Sequence, residues 1–136
     1  MKTFIDTNVF MYAVGRSHRL KQPSERILNE IGEGSLDATT NTVVIQEILF
    51  ILDRRGNREA GIAIAQDIMD LIPDLLPVTR PDMIMASLLL EQYQQLKSRD
   101  AVHAATMRTN GFDTIITADR HFDSIEGVNR IDPSEY

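Results

Sequence analysis

Short apolar strands that alternate with longer helical patterns constrain this chain more than any other feature. Lys2 to Ile5, Leu36 to Thr39, Leu75 to Thr79 and Asp113 to Thr117 each read as a strand, and Val128 to Ile131 reads as a last edge strand. Helices are expected at Val9–Val14, from Pro23 to the glycines Gly32 and Gly34, from an Asn41 or Thr42 cap to about Arg55, at Asn57–Ile72, from Pro81 to about Leu96, and at Arg99–Asn110. Strands separated by helices need crossover connections. The expected fold is therefore α/β, with a mostly parallel central sheet and helices on both faces. At 136 residues the chain is expected to form one domain, residues 1–136. Folding at this length buries roughly two-thirds of the unfolded surface, enough for a core without staples.

In a parallel sheet, ligands bind beyond the C-terminal strand ends. Asp6 follows the first strand and Asp119 follows the Asp113–Thr117 strand, so both fall at that edge. Two further acids stand on helices. Glu47 lies among Val43, Val44, Ile45, Ile48, Leu49, Phe50 and Ile51, between Val43 and Ile51 on the helical wheel. Asp100 opens a helix rich in small residues, Ala101, Ala104 and Ala105.

Each acid has an ordinary reading when taken alone. Asp6 suits a helix N-cap and Asp100 a first helical turn, where a negative charge offsets the macrodipole. Asp119 and Asp123 suit turns, and Glu47 suits an arginine partner. His103, one turn after Asp100, reads as a packed or hydrogen-bonded histidine more readily than as a base.

Together the acids carry more. Two carboxylates about 5 Å apart repel by roughly 3 kcal/mol at an effective dielectric near 20. Protons or a cation must relieve a cluster of four. An oxygen ligand set without imidazole or thiolate favours Mg²⁺ or Mn²⁺ over zinc. Phosphodiester hydrolysis suits such a site and needs no protein nucleophile.

Net charge is −6, from 14 basic and 20 acidic residues, which argues against bulk electrostatic binding of nucleic acid. The basic residues Arg16, His18, Arg19 and Lys21, and Arg54, Arg55 and Arg58, read as solvated helix ends. Cysteine is absent, which excludes thiolate chemistry. No apolar run approaches the length of a membrane span, and no signal peptide is read at the N-terminus. A cytoplasmic location is expected.

Asp6-Thr7-Asn8 after a first strand, the mid-helix Glu47, Arg99-Asp100-Ala101-x-His103-Ala104 and Thr117-Ala118-Asp119-Arg120-x-Phe122 resemble a PIN-domain ribonuclease of the VapC type. The likeness runs through essentially the whole chain. It implies a PIN-like three-layer α/β/α sandwich and a Mg²⁺- or Mn²⁺-dependent endoribonuclease, the toxin of a toxin–antitoxin pair. The implied partners are RNA, a protein antitoxin and a second copy in a homodimer. On that likeness Asp6, Glu47, Asp100 and Asp119 are the metal ligands and catalytic acids, and Asn8 and Thr117 orient a carboxylate, water or phosphate. Asp123 stays open as a fifth acid or a turn residue.

Other classes fit less well. A receiver-like Mg²⁺-binding domain wants an acidic pair at the first strand and a late lysine, whereas Asp6 stands alone and Lys97 is the last lysine. An aspartyl phosphatase wants Asp-x-Asp, and position 8 is Asn8. A catalytically silent PIN-like binding module is distinguished by its lack of metal-dependent RNA cleavage.

Overall fold

A computed structural model describes residues 2–136. Among them are six α-helices and four strands: β1 Thr3–Ile5, α1 Thr7–Val14, α2 Lys21–Glu33, β2 Ala38–Thr39, α3 Thr42–Arg54, α4 Arg58–Leu71, α5 Arg80–Gln92, α6 Ser98–Thr109, β3 Thr114–Ile116 and β4 Asn129–Ile131. The strands form one all-parallel sheet in the order β2-β1-β3-β4. This is the expected α/β/α sandwich. β1 and β3 are buried along their whole length, which explains why they read as continuous apolar runs rather than alternating ones.

Register sets the position of the site. Thr3, Phe4 and Ile5 stand opposite Thr114, Ile115 and Ile116, and Phe4 also stands opposite Thr39. All strands point the same way, so the residues that follow them emerge at one edge. Asp6, Thr40–Asn41 and Thr117–Asp119 are those residues. The chain turns from β1 into α1 without a loop, with Asp6 as the N-cap in extended backbone.

Local chemistry accounts for the helix ends. Asn41 caps α3, and its side chain accepts the Val44 N–H. Thr79 and Asp82 form a reciprocal capping box at the start of α5, with Pro81 in its first turn. Asp82 also accepts from the Thr109 hydroxyl, which ties α5 to α6. Gly34 ends α2 at φ 79°, a left-handed conformation that costs other residues more. Where α3 meets α4, a Cβ on Gly61 would stand 3.1 Å from Leu52 Cβ, so glycine permits the close approach. α6 is buried from Asp100 through Met107, where Ala101, Val102, Ala104, Ala105 and Met107 pack around the polar Asp100, His103 and Thr106.

Two expectations need correction. Leu75–Thr79 is not a strand. A single parallel bridge joins Leu76 to Asn41, through Leu76 N–H to Thr40 O (2.9 Å) and Thr42 N–H to Leu76 O (3.0 Å). Pro77 has no N–H to continue the ladder, and the Val78 N–H turns to the Thr42 hydroxyl at 3.2 Å. Helix α5 stops at Gln92 rather than near Leu96, with the Tyr93 N–H still bonded to Leu89 O.

Candidate active site

Asp6 sits in a cradle built by both neighbouring segments. Its Oδ1 accepts the Thr7 N–H at 2.7 Å. Its Oδ2 accepts the Thr117 hydroxyl at 2.7 Å and the Asn8 amide at 3.2 Å. Thr117 Oγ1 in turn accepts from the Asn8 amide (2.8 Å) and the Asp119 N–H (3.0 Å). Those donors occupy its lone pairs, so its own proton is directed at Asp6. Asn8 Oδ1 accepts the Ala118 N–H at 3.2 Å, which locks the start of α1 to the segment after β3. The expected orienting roles of Asn8 and Thr117 thus have a geometric counterpart in the hydrogen bonds that hold Asp6. Asp6 is 5% exposed. Burial pushes its pKa up, against the pull of nearby His103 and the hydrogen bonds from Thr117 and Thr7.

A second chain of bonds begins at the α3 N-cap. Asn41 Oδ1 must accept the Val44 N–H (3.0 Å), which fixes the amide orientation. Asn41 Nδ2 then donates to Thr106 Oγ1 and to His103 Nδ1, both at 3.1 Å. The Thr106 hydroxyl is already committed as a donor to Val102 O (2.8 Å), which confirms the direction. With Nδ1 accepting, the neutral ring carries its proton on Nε2. That nitrogen lies 2.8 Å from Glu47 Oε1 and 3.6 Å from Asp6 Oδ1. Burial and the Asn41 donor disfavour a second proton on His103, while Glu47, Asp6 and Asp100 favour one and raise its pKa. In either charge state Nε2 keeps its hydrogen and holds Glu47. His103 is fully buried and hydrogen-bonded, in line with its sequence reading.

Glu47 stands at the edge of the apolar face of α3 rather than in the core. Val44, Ile45, Ile48 and Leu52 fill the core, whereas Val43, Glu47 and Ile51 form a half-buried stripe. The Glu47 side chain is 15% exposed, and Arg99 Nε is 3.9 Å from its other oxygen.

Asp100 and Asp119 form the other half of the site. Asp100 is buried in the first turn of α6, and its Oδ2 has no hydrogen-bond partner. Burial, then the charges of Asp119 and Asp6, push its pKa up to about 7. Asp119 begins a short 3-10 turn, Arg120–Ser124, and its Oδ1 accepts the His121 N–H at 2.9 Å. His121 Nδ1 is 3.1 Å from the same oxygen. One ligand atom from each of Asp100, Asp119 and His121 lies within 4.8 Å of the others. His121 was not anticipated from the sequence. The Asp119-x-His121 spacing at a strand end is the signal that could have found it.

Asp6, Glu47, Asp100 and Asp119 all line one pocket of about 1080 Å³, with Arg16, Arg55 and Arg99 also in its wall. Asp123 is held elsewhere. Its two oxygens take Arg130 Nε and Nη2 at 2.8 and 3.3 Å, and Arg130 Nη1 donates to Thr117 O. The basic groups divide similarly. Lys21 donates to the carbonyls of Ala13 and Gly15, Arg58 pairs with Asp53, and Arg54 lies over the Phe50 ring. Among the described residues, no helix is long and apolar enough to cross a membrane.

The parallel sheet and the pocket lined by the four acids agree with the PIN-like arrangement that the sequence resemblance implies. Residues 3–128 match the PIN domain family, and the chain belongs to it. Among its relatives, Ribonuclease VapC13 of Mycobacterium tuberculosis is 34% identical over 127 residues, spanning 93% of this chain and 97% of the relative. Ribonuclease VapC23 of the same species is 33% identical over 116 residues, spanning 85% and 91%. The fold is also similar to that of M. tuberculosis VapC20, described as a sarcin-ricin loop cleaving toxin (TM-score 0.74, 20% identity, 90% of this chain and 93% of that one). It is similar as well to that of VapBC2 from Rickettsia felis, solved bound to a promoter DNA fragment (TM-score 0.76, 12% identity, 97% and 98%).

Proposed function

We propose that this protein is a divalent-metal-dependent endoribonuclease, the toxin of a VapBC-type toxin–antitoxin pair, acting in the cytoplasm. One observation carries the metal: Asp100, 2% exposed, has an oxygen without a partner beside Asp119, in a pocket that Asp6 and Glu47 also line. A buried, unpaired acceptor is costly and rare in native proteins. The donor set fits a hard or borderline divalent ion such as Mg²⁺ or Mn²⁺. Asp6, Glu47, Asp100 and Asp119 would hold it. When bound, such an ion activates water and neutralises charge on the phosphodiester. Thr117 and Asn8 hold the Asp6 carboxylate in orientation, and His103 does so for Glu47. Arg99, at the mouth, is positioned to meet a phosphate.

The relatives' names as ribonucleases support RNA as substrate, and the VapBC structures support a protein antitoxin as partner. An arginine from that partner would suit the acidic pocket, because a guanidinium binds two oxygens and keeps its charge. Apolar side chains on the surface offer docking area. Leu49, Phe50, Ile62 and Met69 are exposed on α3 and α4, and Met83, Ile84 and Leu88 on α5. These faces would serve the antitoxin and a second copy in a homodimer.

The deciding experiment incubates the purified protein with single-stranded and structured RNAs in Mg²⁺, Mn²⁺ or chelator, beside Asp6→Asn. Cleavage that needs the ion and disappears in the variant is expected. Metal binding without cleavage of any RNA would point to a silent binding module instead.

A further inference from the structure

The four acids are not equivalent in space. Asp6 and Glu47 are joined through His103, and their oxygens already accept hydrogen bonds from Thr7, Thr117, Asn8 and His103. Asp100 and Asp119 lie on the other side, with the unpartnered Asp100 oxygen and an imidazole at hand. The backbone that carries that imidazole is held in place. The fully buried Phe122 anchors the 3-10 turn, the His121 N–H is tied to Asp119 Oδ1, and the Ser124 hydroxyl bonds to His121 O at 2.8 Å.

We propose that His121 is a direct ligand of a cation position shared with Asp100 and Asp119, which makes this centre favour nitrogen-accepting divalent ions over Mg²⁺. The inference rests on the acid cluster being a metal site. It adds a ligand whose chemistry changes which ion is held. Mg²⁺ prefers carboxylate and water oxygens and keeps much of its hydration. Imidazole suits Mn²⁺ less than Co²⁺, Ni²⁺ or Zn²⁺, and affinity rises in that direction along the first-row series. His121 Nδ1 lies 3.1 Å from Asp119 Oδ1, a spacing at which one ion can be held by both, and an Asp100 oxygen is within 4.8 Å of the group's other ligand atoms. The ring is about half exposed, so removing it does not disturb the core.

The test uses the full chain stripped by chelation and reloaded with one ion at a time. Mn²⁺-loaded wild type should show ¹⁴N coupling in pulsed electron paramagnetic resonance. The coupling should vanish in His121→Ala and persist in His103→Gln. By calorimetry, His121→Ala should bind Co²⁺ roughly 10-fold more weakly or worse, since loss of even an outer partner of a metal ligand costs that much. Mg²⁺ affinity should change by less than about 3-fold, because Mg²⁺ is served by oxygens. A wild type without nitrogen coupling, a coupling that survives His121→Ala, or equal Co²⁺ and Mg²⁺ losses would each overturn the ligand assignment while leaving a metal-dependent ribonuclease intact. Failure of wild type to bind any ion would overturn both, whereas ion binding with nitrogen coupling but no RNA cleavage would overturn only the ribonuclease reading.

Discussion

Replacing Asp100 by Asn should stabilise the ion-free protein, and the gain should depend on pH. In the folded state the Asp100 pKa is raised from 3.8 to about 7, chiefly by burial and then by Asp119 and Asp6. Below pH 3.8 the carboxyl is neutral in both the folded and unfolded states. Between 3.8 and about 7 the unfolded chain releases the proton while the folded protein keeps it, so stability falls as pH rises through this window and levels off above about 7. The gap, at about 1.4 kcal/mol for each pH unit, sets a ceiling of about 4 kcal/mol. Solvent at the pocket mouth screens Asp100 and lowers the expected value to about 1–2 kcal/mol. Asn keeps the shape and removes the titration. Thermal unfolding in chelator should therefore place Asp100→Asn about 3–8 °C above wild type at pH 7.5, with the difference shrinking toward pH 5. Added Mn²⁺ should reverse the order, since wild type gains the ion and the variant binds it weakly. A variant less stable than wild type in chelator at pH 7.5, or a difference that stays constant from pH 5 to 8, would refute the reasoning.

Three further outcomes are expected. A saturating divalent ion stabilises only a protein that binds it, by about 2.7 kcal/mol at one hundred times the dissociation constant, so Mn²⁺ should raise the melting temperature of wild type more than that of Glu47→Gln. His103→Leu should cost about 2–4 kcal/mol in chemical denaturation, because it leaves both the Asn41 amide hydrogen and Glu47 Oε1 without their partner; His103→Gln, which keeps a donor, should cost less. Asp123→Ala should cost no more than about 1 kcal/mol, because Asp123 is the exposed end of its pair and Arg130 keeps Thr117 O and Asp132 as partners, and should leave RNA cleavage rates at the wild-type level.

Much of the fold can be read locally because its signals are local. The caps Asn41 and Thr79, the stop at Gly34 and the apolar runs of β1 and β3 all act within a few residues of themselves. Leu75–Thr79 misleads because its apolar pattern suits a strand, while Pro77 and the short β2 leave only Leu76 a partner. Glu47 is conspicuous on the helical wheel, yet the wheel cannot show that its stripe faces a pocket rather than the core. The bond between Asn41 and His103 joins residues 62 positions apart, and no local pattern announces it.

The same limit applies to the acids themselves. As a motif, Asp6, Glu47, Asp100 and Asp119 are four interchangeable carboxylates. In space they differ in how much of their hydrogen-bonding capacity is already used. Asp6 accepts from three donors and Glu47 is bonded to His103, so the protein meets part of their charge without an ion. Asp100 is the buried acid left with an unpartnered oxygen, and the like charges of Asp119 and Asp6 stand against its ionisation. The demand for a cation therefore falls first on the Asp100–Asp119 side, where His121 waits at the entrance, and the Asp6–Glu47 side supplies a pre-oriented wall for whatever that cation brings into the pocket.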